Sequence, residues 1–243
     1  MSLDLQKSKQ VVLDLTKAVG LGEQKARVVL AIDYSGSMSH LYNNGVVQSI
    51  VERLVPVAMA FDDDQAMEVY RFDHNYRRID TAATPSNYKG YVDKYVDTSS
   101  MGGTEYTPVM KAIAEASEGS TKKNFISKLF GGKTISDSQP AEYPTYVIFI
   151  TDGDCADPNA ALKYIKEVSN KPIFWQFVGI GPASFRTLQQ LDTVSGRVVD
   201  NANFFSIRNT SDLQSMSDED LYKKYLVEFP GWIKEVKQMN MIK

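Results

Sequence analysis

The sequence predicts an α/β fold: a doubly wound, mostly parallel central sheet flanked by helices on both faces, with one short antiparallel edge strand. Three observations lead there. Short apolar runs of strand length alternate with longer stretches of helical period, which is how helices come to cover both faces of such a sheet. Several of the helical stretches open on residues suited to a helix amino terminus. The 243 residues, 43% of them hydrophobic, are enough to bury a substantial core within a single domain.

Taken in order, residues 1–25 read as an amino-terminal extension, with an extended piece over 3–15 and a Lys/Gly-containing connector; the main domain is expected over 26–243. Strands are predicted over 26–33, 66–72, 146–151, 173–179 and, from a weaker pattern, 203–207. Asp73-His-Asn75 reads as a turn, after which 77–79 supplies the short edge strand. Helical period covers 46–61, 87–96, 108–117, 159–168, 184–193 and 212–229. Ser86, Thr107 before Pro108, and Asp157 before Pro158 suit helix starts. Pro56 lies inside the first helical pattern, where it removes one backbone hydrogen bond and is expected to bend the helix. Residues 119–143, rich in Gly, Ser and Lys, exceed an ordinary connection and read as an insertion. A final helix is expected after Pro230, with Trp232 and Val236 either packing on the domain or marking a contact surface. No period of 20–50 residues recurs, which argues against a solenoid.

Composition narrows the function classes. With 27 basic and 30 acidic residues, a formal charge of −3, the chain lacks the global excess that drives binding to nucleic acid or anionic membranes. The single Cys155 has no internal disulfide partner, and Met1–Gln10 carries Asp4, Lys7 and Lys9 where a secretory signal needs an apolar stretch. No run approaches the ~20 apolar residues that span a bilayer. The expectation is a cytoplasmic protein without a transmembrane segment and without a nucleic-acid partner.

The chemistry concentrates at strand ends. The strand entering Asp33 runs directly into Asp33-Tyr-Ser35-Gly-Ser37, and ligands of open α/β sheets collect at the carboxyl ends of strands. Carboxylate and hydroxyl oxygens are hard ligands, and no His or Cys cluster accompanies them, so the set suits Mg²⁺ or Mn²⁺, with Ca²⁺ also admissible, rather than zinc. Gly36 is read as allowing a tight turn. Gly102-Gly-Thr104 precedes a helix, and Thr151-Asp152-Gly ends another apolar strand, so three loops are expected to meet on one edge.

In that order and spacing, Asp-x-Ser-x-Ser, Gly-Gly-Thr and Thr-Asp-Gly resemble the metal-ion-dependent adhesion site of von Willebrand factor A (vWA) domains, over about residues 27–229. The resemblance implies that Ser35 and Ser37 ligate the ion, Thr104 joins directly or through water, and Asp33 and Asp152 act through water and by hydrogen bonding. Such an ion takes an Asp or Glu carboxylate from another protein as its last ligand. Within the family the chain is most similar to the tellurium-resistance, TerF-like type. That likeness rests on Met1-Ser-Leu-Asp-Leu-Gln-Lys-Ser-Lys9, which resembles the first strand of a TerD-type domain, and on Lys128-Leu-Phe-Gly-Gly132. It implies a cytoplasmic bacterial stress-response protein that binds other proteins; the absence of a complete catalytic set leads to the expectation that it is not an enzyme.

Other features point elsewhere. Gly131-Gly-Lys-Thr134 has the end of a phosphate-binding loop but Ser127 where the first Gly belongs. Residues 122–130 form an amphipathic pattern for packing, a partner or a membrane surface. His40 beside the site lacks a nucleophile and reads as a loop residue; Glu105 and Asp154 either tune the ion or face solvent. Cys155 reads as a small packing residue, leaving contact with soft oxyanions unsupported. The competing function is a Mg²⁺-dependent phosphoryl hydrolase with Asp33 as nucleophile, against which Ser35 stands where a second Asp is required.

Overall fold

The computed structural model describes residues 3–121 and 141–243. The phosphate-loop-like segment, the amphipathic pattern over 122–130 and most of the expected insertion lie outside the described residues. Six strands form one sheet: β1 (Arg27–Asp33), β2 (Glu68–Phe72), β3 (Tyr76–Arg78), β4 (Thr145–Thr151), β5 (Ile173–Ile180) and β6 (Ala202–Ile207), in the spatial order β3-β2-β1-β4-β5-β6. All neighbours are parallel except β2 and β3, so the short edge strand is antiparallel as expected.

Side chains alternate between two cores. Val28, Leu30 and Ile32 face the same side as Tyr146, Ile148 and Ile150; Val29, Ala31, Val147 and Phe149 face the other, which is why strands apolar at every position are stable only under two helical layers. Helices α3 (Val46–Phe61) and α10 (Phe229–Gln238) contribute to the first core; α5 (Thr107–Thr121), α6 (Pro158–Glu167) and α7 (Arg186–Thr193) cover the second. The strand order reverses between β1 and β4, which opens a crevice at their carboxyl ends. Asp33 ends one strand and Thr151 the other.

Several expectations change. The stretch expected to be extended, and to resemble a TerD-type first strand, is the helix α1 (Leu3–Ala18). Leu3-Asp-Leu5 and Leu13-Asp-Leu15 alternate like a strand locally, but Leu5, Val12 and Thr16 are the buried positions, at helical spacing. The helix closes with backbone bonds from Leu21 to Thr16 (2.9 Å) and Gly20 to Lys17 (3.1 Å). Gly20 at φ +77° supplies the left-handed residue that this closure needs.

The helix expected over 87–96 shortens to α4 (Tyr91–Tyr95). The Asn87 side chain accepts the Thr84 N–H at 2.7 Å and holds the preceding residues in a turn, so Ser86 caps nothing. The helix expected over 212–229 divides into α8 (Thr210–Ser215) and α9 (Asp218–Tyr225), because Ser217 stops one and caps the other by accepting the Asp220 N–H at 3.1 Å. The final helix, α10, buries Trp232 and Val236, with Pro230 in its first turn. Pro56 is accommodated within α3, which runs unbroken through it.

In β5, Gly179 leaves space for the ring of Phe185: a Cβ there would sit 2.8 Å from three of its carbons. Phe185 is buried and holds a left-handed backbone at φ +50°. Among the described residues no helix is long and apolar enough to cross a membrane.

Candidate metal centre

The crevice gathers the three predicted loops. Register does the first part: Ile32 pairs with Ile150, so Asp33 lies beside Thr151, whose hydroxyl donates to Asp33 Oδ2 at 2.5 Å. The other Asp33 oxygen accepts the Ser35 N–H at 2.7 Å, and Tyr42 donates its hydroxyl to the Asp33 carbonyl at 3.0 Å. Asp33 is fully buried and Ser35 nearly so. Outward from it, Ser35 Oγ lies 3.0 Å from Ser37 Oγ, and Ser37 donates to Asp152 Oδ1 at 2.7 Å. Four of the five predicted residues are thus linked into one hydrogen-bonded chain.

Thr104 is brought in through its backbone. Ser35 and Gly102 form an isolated parallel bridge with Gly36 N–H on the Gly102 carbonyl at 3.1 Å, while the Thr104 carbonyl accepts the Ala156 N–H at 2.8 Å. The middle loop is therefore stitched to both of its neighbours. Gly36 is not in a left-handed conformation. It starts a tight 3₁₀ turn over Gly36–Met38 without needing a left-handed backbone, and it adds the N–H that meets the Gly102 carbonyl.

Burial pushes the Asp33 carboxyl up to about 6; the bonds from Thr151 and Ser35 oppose this, and the nearby Asp152 charge adds to it. A cation among these oxygens would favour the ionised form. The oxygens linked here are hard ones, from the carboxylates of Asp33 and Asp152 and the hydroxyls of Ser35 and Ser37, with Thr104 held beside them through its backbone. Among the described residues no group of three or more His, Cys, Asp or Glu side chains is placed to hold a metal, so any ion here relies on the hydroxyls.

Neighbouring residues acquire definite places. His40 Nδ1 donates to the Ser37 carbonyl at 2.8 Å and so braces the loop. Tyr34 is buried, edge-on to Tyr42, with the Arg71 guanidinium 4.3 Å above its ring. Asp154 accepts the Thr187 N–H at 2.9 Å in the first turn of α7, which makes it a helix cap rather than a tuning group. The Glu105 N–H donates to the Asp73 carbonyl at 2.9 Å, tying its loop to the edge hairpin. The Cys155 thiol is pushed up to about 12 by burial and by its bond to Asp157, so it is protonated at neutral pH and weakly nucleophilic. Sequence reasoning assigned no role to Thr151 or Gly102. The signal for Thr151 was its place before Asp152 at a strand end; the signal for Gly102 was its Gly pair.

Comparison with known proteins agrees with this geometry. Residues 25–242 match the vWA-TerF-like family, described as the vWA found in the TerF C terminus. The Bacillus subtilis (strain 168) protein described as uncharacterized protein YcbR is 36% identical over 248 residues, covering 100% of this chain and 90% of that one. Among solved structures, proximal thread matrix protein 1 from the mussel byssus, with a zinc-occupied MIDAS motif, superposes with a TM-score of 0.52 at 17% identity, over 84% of this chain and 48% of its own. A von Willebrand factor type A protein from Catenulispora acidiphila gives 0.55 at 15% identity, over 83% and 42%. This chain spans about half or less of those two solved chains, and at such identities the likeness is one of fold. With the family match running over nearly the whole chain and through all three loops of the crevice, the protein belongs to the vWA-TerF-like family.

Proposed function

We propose that the chain is a metal-dependent protein-binding module, not an enzyme, in which Asp33, Ser35, Ser37, Thr104 and Asp152 hold a divalent ion that takes a partner's Asp or Glu carboxylate. The observation that carries this is the chain of hydrogen bonds from buried Asp33 through Ser35 and Ser37 to Asp152, on loops from separate strand ends. An ion bound there supplies an electrophilic point for an outside anionic oxygen, since neutral hydroxyls offset little of its charge. The protein's own part is to hold the hydroxyls in place. Each Asp33 oxygen already accepts a hydrogen bond, from Ser35 and from Thr151, which favours a bracing part beside the ion over attack on phosphate.

Hard oxygens favour Mg²⁺ or Mn²⁺, although the mussel relative's MIDAS holds zinc. The TerF-like family membership supports a part in a bacterial tellurium-resistance or stress-response system, and the lone, protonated Cys155 suits a cytoplasmic setting.

The test is retention of partner proteins from a cell extract by the immobilised chain in Mn²⁺ and then in chelator. Chelator is expected to release the bound partner, and Asp33→Ala to retain none while keeping a native circular-dichroism spectrum. Retention indifferent to chelator would show that no ion mediates binding.

A further inference from the structure

A cleft of about 370 Å³ opens directly beside the candidate centre, because Asp152 forms part of its wall. Its volume lies at the lower end of the range that accepts a small ligand or a few side chains. Its lining also includes Arg208, the first residue beyond β6, with Asn209, Thr210 and Ser211 after it. Arg208 is exposed and, among the described residues, makes no ion pair. Asp152 is the one acid in the lining, and its carboxylate already accepts from Ser37. His40 also borders the cleft with Nδ1 spent on the Ser37 carbonyl, so only Nε2 is left to meet a partner.

We infer that this cleft reads a second acidic side chain of the partner through Arg208, so that the recognised peptide segment carries two carboxylates, one for the ion and one for the guanidinium. The inference rests on the metal-dependent reading above. A guanidinium offers a planar fork of donors that matches a carboxylate in two parallel bonds. Sheet hydrogen bonding fixes where the fork starts: Ile180 pairs with Ile207, and Gly181 N–H donates to the Ile207 carbonyl at 2.9 Å, so the ends of β5 and β6 are held together. The lining is partly apolar, with Ile180, Pro182 and buried Leu41, which suits the methylene stems of an acidic side chain. A basic residue at the same position of the partner meets like charge from both the ion and Arg208 and is rejected.

Short synthetic peptides carrying one glutamate, and the same peptides carrying a second, are titrated against the full chain in Mn²⁺ by fluorescence anisotropy. The second glutamate is expected to tighten binding about two- to fivefold, the usual worth of a solvent-exposed ion pair. Arg208→Ala is expected to erase that gain while leaving the affinity for the single-glutamate peptide unchanged, and Arg208→Lys to restore part of it. No gain in the wild type, or a gain that survives in Arg208→Ala, overturns the assignment of Arg208. Single-glutamate binding that persists in chelator overturns the metal reading instead, and failure of both peptides to bind overturns the carboxylate class altogether.

Discussion

The Asp157 carboxylate serves a helix that is not its own. It makes no side-chain cap on α6, which it precedes, and accepts instead the N–H groups of Tyr106 and Thr107, at the start of α5, at 2.8 and 2.9 Å. Burial acts to raise this carboxyl, yet bonds from Thr107 and Tyr106 hold it below the usual carboxylate range, so it is ionised at neutral pH beside the positive end of α5. Asp157→Ala is therefore expected to cost about 0.5–2 kcal/mol of stability, read as a lower urea midpoint. An unmoved midpoint would show that water replaces the cap. At this scale the sequence identified residues able to cap, ligate or pack, and the adhesion-site pattern made Asp33, Ser35, Ser37 and Asp152 legible. It did not tell which backbone each would meet. Asp154 and Asp157 have the same chemistry as Asp152 and lie within five positions of it, yet register and loop path send them to α7 and α5.

Elements with one strong local pattern were legible, and those with two competing patterns were not. The continuous apolar runs of β1, β4 and β5 admit only a doubly covered strand. Over 3–15 the alternation of Leu and Asp competes with a helical period, and tertiary burial decides: α1 lays Leu5 and Val12 against the first core and joins α9 through the Ser8 hydroxyl on Asp218 at 2.5 Å. Arg53 of α3 holds the same carboxylate at 3.0 Å, so three helices meet at Asp218. Leu5→Ala is expected to destabilise the whole domain by about 2–5 kcal/mol, as for any leucine removed from a packed interior. Should denaturant unfolding be the same as wild type, α1 is an appendage rather than part of the core. The stretch over 212–229 differs for a related reason: one amphipathic period runs through it, while the Ser217 cap and the break over 226–228 divide it.

Across the whole molecule, acidic groups from the α7–β6 segment and from the start of α10 influence one another. Glu228 precedes α10, Asp192 belongs to α7, and Asp200 precedes β6. Burial, then the charges of Asp192 and Asp200, push Glu228 from 4.5 up to about 7, with Arg197 opposing; burial and Asp200 push Asp192 from 3.8 up to about 6. A carboxyl raised by folding binds its proton more tightly in the native state. Its contribution to stability is complete below the unfolded value and is lost as pH rises through the folded one. Stability is thus expected to fall between about pH 4.5 and 7 through Glu228, and Glu228→Gln to flatten that decline in melting temperatures recorded across the same range. A decline of equal size in the variant would assign it to other groups. Such long-range coupling is illegible in sequence because it depends on how the chain's last helices close over the sheet.

Phe185 shows how one wall of the crevice is made stiff. A non-glycine residue in the left-handed region costs roughly 1–2 kcal/mol, and here the ring seated over Gly179 keeps it there. The turn from Ile180 to Phe185 is consequently pinned at both ends, by the sheet before it and by an aromatic peg after it. A peptide bound as proposed would find that rim already shaped and lose little entropy in moulding it.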